Sequence, residues 1–330
     1  MIYYIIAFLV LFILQLVYFR IANHFNIIDK PNQRSSHKYI TIRGGGILFP
    51  IAAILWFLFF GFQQPLVIAA LLLISIISFL DDIMVLSSKI RIVVHFVSVS
   101  ILFWQLQIFG LPWFLILASY VVTIGWINAF NFMDGINGIT AFYSLVAIGT
   151  LYWIFEMSPA IEATYQSELL ILLIISIVIF SFFNARKRAK TFAGDIGSVS
   201  LAFIIAWFLI KLINETSRIE YILFVSVYGI DSVITILYRL KRKENIFQPH
   251  RSHLYQFLSN EYGLSHVLVS FSYAFTQLVI NAFAIYLIKT NVMSIALMIG
   301  ILLVISFIYL ILRYNITTKV LSGLTGDQHL

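Results

Sequence analysis

Leu71-Leu-Leu-Ile-Ser-Ile-Ile-Ser-Phe-Leu80 runs without a charge and then stops on Asp81-Asp82. Followed back to Pro65, the run approaches the roughly 20 residues that carry a helix across about 30 Å of hydrocarbon. A carboxylate drawn into that layer costs about 3 kcal/mol or more unless it is paired or metal-bound. The stretch therefore reads as a membrane helix that surfaces on two acids with work to do. Comparable runs recur near 1–19, 46–62, 92–109, 111–127, 138–156, 168–183, 197–213, 219–238, 264–288 and 292–312, giving eleven with 65–80. The first lacks a basic leader and a small-x-small cleavage site, so it reads as a retained helix. At 61% hydrophobic and 11% charged over 330 residues, the chain could not cover itself as one soluble domain. The expected fold is an all-α, polytopic membrane protein of about eleven transmembrane helices. It forms a single domain over residues 1–330, and 315–330 is a short polar tail. The absence of cysteine excludes disulfide, thiolate and zinc-finger chemistry.

Eleven spans put the chain ends on opposite sides and sort the loops into two sets. One set holds 18 of the 21 Lys and Arg; the other holds Lys211, Arg218 and Lys289. By the positive-inside bias the first set is cytoplasmic, which puts the N-terminus outside and the C-terminus inside. The net charge of +7 then divides into about +9 inside and −2 outside.

The loops on the basic side also carry nearly every group capable of chemistry. Adjacent helix residues point about 100° apart, so Asp81 and Asp82 are expected to hold separate jobs, one facing a site and one bracing a neighbouring helix or cation. Asn128, Asn131 and Asp134 fall within an arc of about 120° and form an oxygen-rich stripe before Gly135 and Gly138. Asp195, between Gly194 and Gly197, reads as a carboxylate at a helix N-terminus, a position that also suits phosphate. Oxygen donors without thiolates favour a hard ion, Mg²⁺ or Mn²⁺, shared with substrate phosphates. His250, Arg251 and His253 follow the basic stretch 239–243 and suit a phosphate clamp. Lys187, Arg188 and Lys190 read instead as a basic patch facing anionic lipid. Asp231 is the one acid placed inside a span, as well suited to structure as to catalysis.

Taken in order, these segments resemble a known family. Pro31-Asn-Gln-Arg-Ser-Ser-His37, Asp81-Asp82, Asn128-x-x-Asn-x-x-Asp-Gly-x-x-Gly138, Phe192-x-Gly-Asp-x-Gly-Ser198 and Pro249-His-Arg-Ser-His253 are similar to the motifs of the polyprenyl-phosphate N-acetylhexosamine-1-phosphate transferases, glycosyltransferase family 4. The first and last look most like the branch that starts O-antigen or capsular glycans, related to the phospho-MurNAc-pentapeptide translocase. The resemblance implies transfer of sugar 1-phosphate from a UDP-N-acetylhexosamine to undecaprenyl phosphate, with UMP released, at the cytoplasmic face of the bacterial inner membrane. It implies Mg²⁺ (or Mn²⁺) held by Asp195 and Asn131, and Asp81, Asp82 and Asp134 as the catalytic acids, with Asp81 or Asp82 acting on the lipid phosphate. Arg91, His250, Arg251 and His253 would steady the diphosphate, with His37 and Arg43 on the loop that reaches it. Phe192 would stack on uracil while Asn137 reads its edge. Membrane lipid is the surrounding partner, a homodimer is compatible, and no nucleic acid is expected. The Arg251-Ser252 pair leaves the sugar open among N-acetylglucosamine, N-acetylgalactosamine and 6-deoxy relatives.

Two anionic reactants need charge neutralisation and in-line placement more than a strong base, so direct attack is favoured over a phosphoryl-aspartate. A secondary transporter is the non-enzymatic rival, but no inverted repeat is visible. A CDP-alcohol phosphotransferase would continue differently after Asp134-Gly135, where this chain reads Ile-Asn-Gly-Ile-Thr.

Overall fold

A computed structural model describes residues 2–31, 36, 39–84, 86–157, 166–245 and 251–326, with 319–326 defined by their backbone. In chain order come α1 (Ile2–His24), the two-residue strands β1 (Ile28–Asp29) and β2 (Thr41–Ile42), α2 (Leu48–Phe59), α3 (Pro65–Ile83), α4 (Ser88–Gln105), α5 (Trp113–Met133), α6 (Ile139–Met157), α7 (Gln166–Asn184), α8 (Gly194–Thr216), α9 (Ser226–Lys241), the short α10 (Leu254–Gln256), α11 (His266–Lys289) and α12 (Ile295–Gly326). A helix covers each of the eleven apolar runs. Among the described residues nine helical segments, one being 219–241 with its 3₁₀ start, are long and apolar enough to cross a membrane. The other two fall short for plain reasons: α2 with its preceding 3₁₀ turn is brief, and α4 opens on Lys89 and Arg91. The chain is an all-α polytopic membrane protein.

Helix ends differ from the apolar runs in a consistent way. Hydropathy stops at the first polar residue, but the helical hydrogen bonds continue, so Asp81 and Asp82 belong to the last turn of α3 and Asn128 and Asn131 to α5. The residues from 315, expected as a polar tail, extend α12 to Gly326. Starts are set by ordinary devices: Pro65 opens α3, and Ser87 and Ser265 accept the N–H groups of Ile90 and Leu268.

The centre of the bundle is α8, buried along most of its length and packed against α3 and α5. Small residues allow that approach. Ser200 Oγ lies 2.7 Å from Ser75 Oγ of α3, and Trp126 Nε1 of α5 donates to Ala202 O at 2.9 Å. By contrast α12 buries little of its surface, as suits a helix facing lipid.

Candidate active site

Successive helices alternate in direction, so the end of α3, the start of α4, the end of α5, the starts of α6 and α8 and the end of α7 meet at one end of the bundle. The chemistry-bearing residues lie there.

The first loop is built onto the start of α8. β2 pairs with β1 (Ile28 opposite Ile42), and Ile42 forms a parallel bridge with Thr191. Phe192 N–H then donates to Ile42 O at 2.8 Å, Gly45 N–H to Phe192 O at 2.8 Å and Gly46 N–H to Ala193 O at 3.0 Å. Side chains would block this seam: a Cβ on Gly45 would lie 2.3 Å from Thr191 Oγ1. Gly44 and Gly194 both have positive φ, 76° and 72°, and a Cβ on Gly194 would strike Asp82 Oδ2 and the Gly44 backbone. Tyr18 Oη donates to Arg43 O at 2.6 Å and anchors the loop to α1.

The seam delivers Arg43 to the acids. Its Nε is 2.7 Å from Asp82 Oδ1 and its Nη2 is 3.4 Å from Asp195 Oδ1. Burial opposes the guanidinium charge, but Asp82 and Asp195 more than offset it and hold the pKa of Arg43 above its ordinary value. Asp82 also accepts the Asp195 N–H at 2.9 Å and the Ile196 N–H at 3.0 Å, so it caps α8 across the bundle. Asp81 turns the other way. Its Oδ1 accepts the Leu86 N–H at 2.8 Å, and its Oδ2 lies 2.9 Å from Arg91 Nη1, which is itself 3.9 Å from Asp195 Oδ2. Two adjacent acids thus have two different duties, and three carboxylates share two guanidinium groups.

Asn131 joins this group through Ser198, one turn after Asp195, whose hydroxyl donates to Asn131 Oδ1 at 2.8 Å. Asn128 is spent on its own helix, bonded to Ile124 O. Asp134 leaves the end of α5 and accepts Thr140 Oγ1 at 2.5 Å. Burial, with a smaller push from Asp195, raises its carboxyl to about 6 despite the Thr140 bond. Asn137 is buried: its Nδ2 donates to Arg186 O at 2.7 Å and its carbonyl accepts Ser270 Oγ at 2.9 Å. Asn184 bridges Gly138 N–H and Thr191 O, which makes it a brace between motifs. The Phe192 ring is half-buried above the seam.

In the fifth loop, His253 is buried and its Nδ1 lies 2.8 Å from Asp231 Oδ1. Tyr255 Oη donates to Phe132 O at 2.9 Å and closes on Gly135, tying this loop to the end of α5. Burial pushes the Tyr255 hydroxyl well above the usual range, so it stays a donor. Arg251 is half-buried beside Tyr255 and Glu261. His37 and His250 lie outside the described residues. The basic patch is partly spent inside the protein: Arg188 stacks on Tyr39 at 4.2 Å and Lys190 Nζ on Phe19 at 4.7 Å, while Lys187 is exposed. The sequence alone assigned no role to Thr140, to Ser198 within its motif or to the glycine seam. Spacing one turn from Asp195 was the signal for Ser198.

Among the described residues no three His or acidic side chains form a metal cage. Asp195 nevertheless has a partly exposed carboxylate, one turn from the Ser198 hydroxyl that Asn131 Oδ1 accepts, while Asp82 is fully committed to Arg43 and α8. One carboxylate and one amide oxygen, with no soft donor, fit a hard ion that takes its remaining ligands from water and phosphate.

Residues 65–213, which contain Asp81, Asp82, Asn131, Asp134 and Asp195, match "Glycosyl transferase family 4". Relatives extend the match. The probable undecaprenyl-phosphate N-acetylglucosaminyl 1-phosphate transferase of Bacillus subtilis is 26% identical over 320 residues, covering 86% of both chains. The match to the family model spans α3 to α8, and the similarity to this relative runs beyond it on both sides. The chain is also similar to the undecaprenyl-phosphate alpha-N-acetylglucosaminyl 1-phosphate transferases of Yersinia pestis, 26% identical over 262 residues, and Escherichia coli K12, 25% identical over 260 residues. Each match covers 72% of this chain and 71% of the relative.

Proposed function

We propose that this protein transfers N-acetylhexosamine 1-phosphate from a UDP-sugar to undecaprenyl phosphate, releasing UMP, at the cytoplasmic face of a bacterial inner membrane. The observation that carries the reading is the meeting of Arg43 and Arg91 with Asp81, Asp82 and Asp195 at one end of the bundle. Cations and an oxygen-donor set at a membrane boundary suit two phosphate-bearing reactants, one soluble and one anchored in lipid. The family and the names of its relatives agree.

In this reading a phosphate oxygen of the lipid attacks the sugar-bearing phosphorus. The bond from that phosphorus to the bridging oxygen breaks, and UMP leaves with the electron pair. Asp195 and Asn131 would hold Mg²⁺ (or Mn²⁺), which when bound neutralises diphosphate charge as a Lewis acid. Arg91 and Arg251 face the diphosphate oxygens, Arg43 holds Asp82 and Asp195 in register, and Phe192 stacks on the base. Asp81, fixed by Leu86 and Arg91, orients the lipid phosphate, which is already ionised near neutral pH and needs no strong base. Asp231, the acid inside a span, is bonded to His253. The product would begin an O-antigen, capsular or cell-wall glycan.

The deciding assay supplies purified protein with Mg²⁺, undecaprenyl phosphate and a panel of UDP-N-acetylhexosamines, and follows UMP. Lipid-dependent release with at least one sugar is expected; none from any sugar overturns the proposal. The mass of the detergent-solubilised protein tests the compatible homodimer.

A further inference from the structure

Gly135 follows Asp134, yet its φ lies outside the left-handed region, so the backbone does not call for glycine there. A neighbour does. A Cβ on Gly135 would lie 2.2 Å from Tyr255 Oη, 3.0 Å from its Cζ and 3.1 Å from its Cε2. The phenol of the fifth loop thus fills the room that any other residue at 135 would need. Seated there, Tyr255 Oη donates at 2.9 Å to the carbonyl of Phe132 in the last turn of α5, where the final carbonyls have no partner within their own helix. One ring grips the chain on both sides of Asp134.

The ring itself is fixed. Tyr255 is fully buried, packed at 24° against His253 with centroids 5.7 Å apart and met edge-on by Tyr273 of α11 at 6.4 Å. Behind it the loop is anchored to α12 and α9. Arg313 Nη2 donates to Ser252 O at 2.8 Å, and its Nη1 donates to Thr235 Oγ1 at 2.9 Å and to Tyr309 Oη at 3.0 Å. Asp231 of α9 lies 2.8 Å from His253 Nδ1, 3.1 Å from Tyr309 Oη and 2.5 Å from Tyr273 Oη. Residues 252–255 therefore form a strut from these helices to the end of α5. At its tip, Asp134 is near enough to Asp195 and Arg43 to feel both charges. Where the strut sets residues 132–135 decides where this carboxyl stands relative to the cluster.

We propose that Tyr255 is a positioning residue for the transfer: its hydroxyl, seated against Gly135 and bonded to the Phe132 carbonyl, fixes the turn that carries Asp134. The proposal rests on the transferase reading, in which Asp134 is a catalytic acid. Tyr255 acts through Asp134 and needs no contact with substrate. Removing the hydroxyl frees the Phe132 carbonyl and lets the turn relax, whereas filling the hole at 135 pushes the ring out. The two changes offset each other. With the hydroxyl gone, the nearest ring atom to a Cβ at 135 is the carbon at 3.0 Å, an approach relieved by a shift of a few tenths of an ångström.

The test compares the full-length wild type, Tyr255→Phe, Gly135→Ala and the double variant in the UMP-release assay and by thermal denaturation in detergent. Tyr255→Phe is expected to lower kcat by roughly 10-fold or more, toward the ~100-fold that a displacement of an ångström can cost. KM for the UDP-sugar should change little and Tm should fall only slightly. Gly135→Ala should lose more of both kcat and Tm, and the double variant should recover to the level of Tyr255→Phe. A tyrosine that merely fills space would lower Tm and leave kcat alone. Normal kcat in Tyr255→Phe, or a double variant worse than Gly135→Ala, would overturn the proposal. If Gly135→Ala does not fold, the rescue is read as the return of folded protein in the double variant. An inactive wild type would sink the transferase reading and the positioning role with it, whereas the Tm rescue would still report the contact between Tyr255 and Gly135 separately.

Discussion

Gly46 and Gly197 pack backbone against backbone: a Cβ on Gly46 would lie 2.3 Å from the Gly197 Cα, and one on Gly197 would lie 2.7 Å from the Gly46 Cα. Neither neighbour is a side chain that can swing aside. The contact sets the loop carrying Arg43 against the helix start carrying Asp195.

Gly46→Ala should therefore destabilise the protein by about 1–3 kcal/mol, the usual range for overpacking, and lower turnover by displacing Arg43. Gly229→Ala is the control, since nothing lies within 4 Å of the added carbon. There the gain in helix propensity should leave stability equal or slightly higher. Thermal denaturation in detergent compares the two; equal effects would mean that the seam gives way easily.

Asp82 and Asp195 should fail differently. Asp82→Ala leaves the Arg43 guanidinium without its nearest carboxylate and two α8 N–H groups without acceptors. Losing one partner of a buried pair costs about 3–5 kcal/mol, so a large fall in Tm is expected. Asp195→Ala should keep most of the Tm yet abolish turnover even at high Mg²⁺. Retained turnover would remove Asp195 from the metal role.

Much of this centre was legible in the residues themselves. Asp81-Asp82 ends an apolar run, and hydrophobicity alone explains why such acids must be partnered. Periodicity put Asn131 and Asp134 on one face. What could not be read was pairing across the bundle, because no local pattern encodes that Asp82 caps a helix starting 112 residues later at Gly194. The glycines of Gly44-Gly45-Gly46 were visible as glycines; their purpose depends on Thr191, Gly194 and Gly197, which only the fold brings near. Likewise Asp231 was visible as an acid in a span, but its partners come from α10's leading residue, α11 and α12.

Asn131→Ala tests the second oxygen donor. Activity should survive in part, with the Mg²⁺ concentration for half-maximal rate raised by roughly 10-fold, within the range for losing a supporting ligand interaction. Chelation with EDTA should stop wild-type UMP release, and added Mg²⁺ should restore it. An unshifted Mg²⁺ requirement in Asn131→Ala would exclude that residue as a ligand.

Asp134 gives a pH signature. Its carboxyl is raised from 3.8 to about 6, chiefly by burial. Between those values the folded protein holds a proton that the unfolded chain has released, so this group's contribution to stability falls as pH rises through the window. Asn at 134 has no such slope. The Tm of Asp134→Asn minus that of wild type, both in EDTA, should increase from pH 4 to about 6 and level off above. The full shift corresponds to about 3 kcal/mol, reduced by whatever water reaches the group. A gap that shrinks with pH would reverse the assignment.

The grip of Tyr309 on Asp231 and of Arg313 on the Ser252 carbonyl ties the fifth loop to a helix made late in synthesis. Both belong to α12, which leaves the ribosome after α1 to α11. A nascent chain already holding Asp81, Asp82, Asn131, Asp134 and Asp195 would still lack the parts that order His253. The contacts that hold Asp231 and the Ser252 carbonyl are thus completed later in synthesis than the side chains of the carboxylate cluster.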